Sequence, residues 1–105
     1  MIYEFRTYEA SPGRLADLDR RFKDLTLPIF ERLGIEQVGF WIPEGSNALV
    51  YILRWADKAD SEAKWKAFQD DGEWQRGKAA SEANGPILAK VSSQFWVPTE
   101  YSALR

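Results

Sequence analysis

The chain is 105 residues long, 45% hydrophobic and 14% aromatic, with 14 Lys plus Arg against 16 Asp plus Glu. That length holds a single domain, residues 1–105, with one core, and basic residues scattered through helical stretches at a net charge of −2 argue against a nucleic-acid partner. Cys and His are both absent, which removes disulfides, thiolate nucleophiles, imidazole bases and most zinc or haem ligation. No cofactor is expected, and any catalysis must use carboxylates, Tyr, Lys, Arg, Ser or Thr, or oxygen chemistry done by the substrate itself.

Ile2 to Tyr8 alternates Tyr3, Phe5, Thr7 against Ile2, Glu4, Arg6, Tyr8 and is rich in aromatic and β-branched residues, the pattern of a strand. Ser11-Pro12-Gly13 supplies an N-cap hydroxyl followed by Pro at the first helical position. After it, Leu15, Leu18, Phe22, Leu25, Ile29 and Leu33 recur at spacings of three and four, one apolar helix stripe. Pro28 cannot donate to the carbonyl of Asp24, so a kink is expected near Leu25 to Pro28. Gly34 ends this helix as a left-handed residue, with Ile35 packing back on Phe30. Val38–Ile42 and Ala48–Trp55 read as an antiparallel hairpin across Pro43-Glu44-Gly45-Ser46-Asn47.

From Asp57, an N-cap with Asp60 at the third helical position, a helix runs through Ala63, Trp65, Ala67 and Phe68 to about Asp70, where Gly72 is expected to stop it. Glu73 to about Ala83 reads as a shorter helix weakened by Gly77, and Ala83-Asn84-Gly85-Pro86 as a loop. Val91 to Val97 is the fourth strand and Thr99 to Arg105 a tail. The longest apolar run, Ala48–Leu53, falls far short of the roughly 20 residues that span a bilayer. With no basic and apolar leader at the N-terminus, the expectation is a soluble, cytoplasmic protein without a membrane span.

The order βαββαβ, closed by right-handed crossovers, is an α+β, ferredoxin-like plan: a four-stranded antiparallel sheet with helices on one face. Such a sheet with one wet face should alternate apolar and polar residues. Here Leu49, Tyr51, Leu53 and Trp55 oppose Val50 and Ile52, while Trp41 and Trp96 oppose apolar neighbours of their own. If helices take the β-branched face of the third strand, roughly eight large side chains remain on the other. Their burial is worth about 12–24 kcal/mol gross, against an association cost of about 4–15 kcal/mol. A homodimer packed face to face through the sheet is therefore expected.

Several stretches together resemble the NIPSNAP family. They are Met1-Ile2-Tyr3-Glu4-Phe5-Arg6-Thr7-Tyr8 with Pro12-Gly13 soon after, Leu27-Pro28-Ile29-Phe30, Val38-Gly39-Phe40-Trp41, Gly72-Glu73-Trp74-Gln75, and Pro98 with Tyr101-Ser102 and Leu104. The likeness covers nearly the whole chain. It departs from relatives at Tyr51 and Leu53, where His and Trp often stand. The resemblance implies the dimeric α/β-barrel version of the ferredoxin-like fold and no particular reaction.

Glu4, Arg6 and Tyr8 share one face of the first strand, with successive Cβ atoms about 6.5 Å apart. A carboxylate, a guanidinium and a phenol thus point the same way, into the space expected between sheet and partner. Either Arg6 holds a ligand carboxylate or enolate while Glu4 or Tyr8 moves a proton, or Glu4 and Arg6 form an internal ion pair. Trp41, Tyr51 and Trp96 are further cavity candidates because they lie on strands. Trp65 and Phe68, three apart on a helix, read as packing, and Trp74 either caps the barrel mouth or staples its segment down. Arg20, Arg21 and Lys23, like Lys64 and Lys66, read as exposed helix faces. Asp70, Asp71 and Glu73 lack the spacing of a calcium loop, and no phosphate loop or nucleophile elbow is present.

Three functions fit: a homodimer binding a small apolar or carboxylate-bearing molecule, a cofactor-independent oxygenase on the same fold, or a structural interaction module. Haem is disfavoured without His, although a Tyr can serve as ligand.

Overall fold

The computed structural model describes residues 1–105. In chain order it contains β1 (Ile2–Ala10), α1 (Leu15–Arg21), a π-helical turn (Phe22–Thr26) and α2 (Leu27–Leu33). There follow β2 (Glu36–Trp41), β3 (Ala48–Trp55), α3 (Lys58–Asp70), α4 (Gly72–Ser81) and β4 (Leu88–Trp96). The strands form one sheet in the order β2-β3-β1-β4 with every neighbouring pair antiparallel. This is the expected ferredoxin-like α+β architecture. No helix is long and apolar enough to cross a membrane.

Local chemistry explains the departures from the sequence reading. The first helix begins at Leu15, not after Ser11, because Ser11–Arg14 close a turn (Arg14 N–H to Ser11 C=O, 2.9 Å) with Gly13 at φ 75°, outside the right-handed region. The kink expected at Pro28 is realised as a π turn: Leu27 N–H reaches back to the carbonyl of Phe22, and the Thr26 hydroxyl donates to the carbonyl of Arg21 at 3.4 Å. A widened turn just before a proline moves backbone carbonyls away from its ring without ending the helix. Gly34 is left-handed (φ 72°), and Ile35 N–H bonds the Phe30 carbonyl at 2.9 Å, as expected for a closing Schellman turn.

The Asp57 carboxylate caps α3 by accepting from Asp60 N–H (2.8 Å), while Asp60 reaches back to Ala56 N–H (3.0 Å). Gly72 does not stop that helix. Asp71 ends it in an extended conformation and caps the next one, accepting from Trp74 N–H at 3.0 Å, so Gly72 is the first residue of α4.

The helices cover the face of β3 opposite to the one expected. Leu49, Tyr51, Leu53 and Trp55 are at most 3% exposed and join Leu18, Phe22, Ile29, Phe30 and Phe68 in one core. The register pairs Tyr51 with Arg6 and Leu53 with Glu4, so the polar residues of β1 lie beneath the helices too. The bare face carries Phe5, Trp41, Val50, Ile52 and Trp96, interspersed with Thr7, Arg54, Ser92 and Gln94. Its apolar surplus is thus smaller than the eight side chains expected. Phe5 stacks on Trp96 at 4.8 Å. The C-terminal residues 97–105 fold over one end of this face, where Arg54 Nη2 donates to the Arg105 carbonyl at 2.8 Å and Tyr3 is buried.

Gly77 explains how the π turn meets α4. A Cβ at this position would lie 2.5 Å from Leu25 Cδ2, inside contact distance. Gly77→Ala should therefore destabilise by about 1 kcal/mol, overpacking exceeding the helix-propensity gain of similar size. In a Leu25→Ala background the same substitution should turn neutral or stabilising. Urea unfolding of the four-member cycle reads the sign, and equal effects in both backgrounds would show that the two residues do not press on each other.

Candidate functional site

At the centre of the helix-covered face, the Glu4 carboxylate is 2% exposed and collects donors from four elements. Its Oε2 accepts from Arg6 Nη1 and from Ser93 Oγ on β4, both at 2.6 Å. Its Oε1 accepts from the indole N–H of Trp55 on β3 (3.0 Å) and of Trp65 on α3 (2.9 Å). Burial pushes the Glu4 pKa up, but hydrogen bonds from Ser93, Trp65 and Arg6 outweigh it and hold the carboxyl below its ordinary range. Glu4 is an anion with its lone pairs occupied, which makes it a poor general base.

Arg6 uses its remaining edges on the two phenols: Nε donates to Tyr51 at 3.0 Å and Nη2 to Tyr8 at 3.2 Å, while the guanidinium lies 4.4 Å from the Trp65 ring centroid. Burial would lower its pKa, yet the two Tyr and Glu4 raise it, so it stays charged. Tyr51 is fully buried, and burial first, then Tyr8, push its pKa well up against the opposing pull of Arg6. It accepts from Arg6 and donates its proton to Tyr8 at 2.8 Å. Tyr8 therefore accepts twice, and its own O–H donates to no side chain of the network.

That hydroxyl stands on the wall of a partly enclosed cavity of about 200 Å³ between the sheet and its own helices. Phe22, Phe30, Trp65, Phe68 and Trp74 supply aromatic walls, and Arg6, Arg21 and Lys78 supply charge. The cavity does not lie between sheet and partner, as the sequence reading placed it, because the helices took the other face. Of the six residues singled out from sequence, Glu4, Arg6, Tyr8 and Tyr51 meet in one network. Trp41 and Trp96 sit on the bare face, 50% and 43% exposed, away from the cavity.

Sequence reasoning missed Trp55, Trp65 and Ser93, and it placed Arg21 on an exposed face although its side chain is 3% exposed. A legible signal existed for the tryptophans: a carboxylate expected in a core requires donors, and an indole is a donor with an apolar body. The pairing of Ser93 with Arg6 depends on sheet register.

Because Glu4 has a depressed folded pKa, its contribution is present above the unfolded value near 4.3 and is lost as pH falls through the folded value. Wild-type stability should accordingly fall on acidification below about pH 4. Glu4→Gln should lose that part of the slope and be about 3 kcal/mol less stable at pH 7, since Arg6 is left buried without its partner. Denaturant unfolding from pH 3 to 7 checks both, and an unaltered slope in the variant would detach the acid limb from Glu4.

A profile of the NIPSNAP family matches residues 3–103. Comparison with curated proteins finds no match. Among solved structures, an uncharacterized NIPSNAP domain protein from Burkholderia xenovorans superposes with a TM-score of 0.84 at 22% identity, over 97% of this chain and 98% of that one. A NIPSNAP family protein from Agrobacterium tumefaciens gives 0.88 at 16% identity, over 99% and 98%. An antibiotic biosynthesis monooxygenase shares the fold more distantly, with a TM-score of 0.65 at 10% identity over 94% and 99%. With nearly its whole length matched by the family profile and its sheet and helices shared with these structures, the chain belongs to the NIPSNAP family.

Proposed function

We propose that this protein is a homodimer that binds a small, largely apolar molecule in the cavity between the sheet and helices of each subunit. The observation that carries the reading is the cavity itself: aromatic on most sides, partly enclosed, and furnished with one uncommitted phenolic donor at Tyr8. Its volume of about 200 Å³ lies below the ~300–1,000 Å³ of pockets for drug-sized ligands and suits a single-ring molecule.

The dimer is supported by the bare sheet face, where Trp41 and Trp96 stand half exposed beside Phe5, Val50 and Ile52. A second copy of the same face would remove them from water through an isologous contact. Sedimentation at micromolar concentration should give a dimer, and Trp41→Glu or Trp96→Glu should shift it to a folded monomer. A wild-type monomer would remove this part of the reading.

A second reading, a cofactor-independent oxygenase, draws on the shared fold of the antibiotic biosynthesis monooxygenase and on the Tyr8–Tyr51–Arg6 chain, which provides a proton donor backed by a cation. Two measurements separate the readings. Titration with toluene, followed by amide NMR shifts, should perturb residues of the π turn, α3 and β4 that surround the cavity; no perturbation there would leave only the structural module. Oxygen uptake with a hydroquinone, above the uncatalysed rate and lost in Tyr8→Phe, would favour the enzyme.

A further inference from the structure

Resting on that binding reading, we infer that the cavity selects single-ring molecules bearing a carboxylate, and that Arg21, not Arg6, receives the carboxylate. Arg6 is already occupied. Its charge is matched by Glu4 at 2.6 Å, and its Nε and Nη2 already donate to Tyr51 and Tyr8.

Arg21 is in the opposite condition. Its side chain is 3% exposed, its Nε is buried with no hydrogen-bond partner, and its one hydrogen bond is a long 3.3 Å contact from Nη1 to Ser81 Oγ. Its nearest acid, Glu82, stands 3.6 Å away, is 28% exposed and is shared with Lys78. A buried guanidinium whose one acid stands 3.6 Å away and is shared is under-neutralised, and an arriving carboxylate supplies the missing charge.

The rest of the cavity wall agrees. Arg6, Arg21 and Lys78 line it and no Asp or Glu does. The free Tyr8 O–H adds a neutral donor. A carboxylate is acceptor-only, so it can use each of these donors without bringing a proton that lacks an acceptor. The Trp74 ring, 5.4 Å from the Arg21 guanidinium, and Phe22 flank this end of the cavity, giving the ring of the ligand aromatic surfaces beside its charged end.

The test compares benzoate, benzamide and toluene by NMR titration of the full chain at low salt. Benzoate should bind at least tenfold more tightly than benzamide, its neutral isostere. Arg21→Gln should bring that ratio to about one, by weakening benzoate more than benzamide. Equal affinity for benzoate and benzamide in the wild type, or an unaltered preference in Arg21→Gln, would overturn the assignment while the apolar cavity stands. If none of the three binds, the binding reading falls and this one with it. Should Arg21→Gln not fold, crystals of the wild type soaked with 4-bromobenzoate decide: the bromine position fixes the ligand's direction, and a carboxylate at the Arg21 guanidinium supports the inference, whereas one directed elsewhere refutes it.

Discussion

The buried Glu4 carboxylate is the constraint on which the interior is organised. It draws donors from β1, β3, β4 and α3, so one anion ties three strands to the helix that covers them. An anion in this position is tolerable only when its oxygens are saturated by hydrogen bonds and its charge is matched. Satisfying it fixes the rotamers of Trp55 and Trp65. Trp65 in turn gives Arg6 an aromatic face, and Arg6 orients both phenols. Tyr8, on the cavity wall, is the last consequence of that chain, with Arg6 between it and the carboxylate that begins it.

How far this was readable from sequence depends on which constraint decided each element. Alternation along Ile2–Tyr8 placed Glu4, Arg6 and Tyr8 on one face without ambiguity, because a strand has only two. The same logic fails on β3, where Leu49, Tyr51, Leu53 and Trp55 oppose Val50 and Ile52. With both sets apolar, hydrophobicity cannot say which the helices will cover. The deciding factor is cross-strand register: β3 residues opposite Glu4 and Arg6 must share their face, and Tyr51 supplies an acceptor for Arg6 that neither Val50 nor Ile52 can. Phe40 and Trp41 fall on opposite faces by ordinary alternation, while the irregularity between Gln37 and Gly39, which composition does not announce, shifts the start of β2. The caps at Asp57 and Gly34 were legible because each follows from chemistry within one turn.

The sheet therefore serves two different surfaces with one set of strands. Its covered face is polar at the centre and aromatic around it, while its bare face is aromatic at the edges with Thr7, Ser92 and Gln94 between. β1 belongs to both: Glu4, Arg6 and Tyr8 face the helices while Phe5 stacks on Trp96 beneath. Because β1 is a central strand paired along its length on both sides, its two faces are held in fixed relation. An event on the bare face and one in the cavity act on the same backbone without sharing a side chain.

Arg21 shows why a buried charge can escape a periodicity argument. It stands three residues after Leu18 and four before Leu25, positions on one helical stripe, so the spacing alone would have buried it. Grouping it with Arg20 and Lys23 as a basic cluster obscured that phase. Immediately after Arg21 the helix widens into the π turn, whose Thr26 hydroxyl returns to the Arg21 carbonyl. The proline that follows the widened turn lies nearly two turns beyond Arg21 and Phe22, at one end of the cavity, and two residues beyond Thr26 on its wall. The sequence feature to read is therefore the charged residue on the apolar stripe together with the proline that follows it.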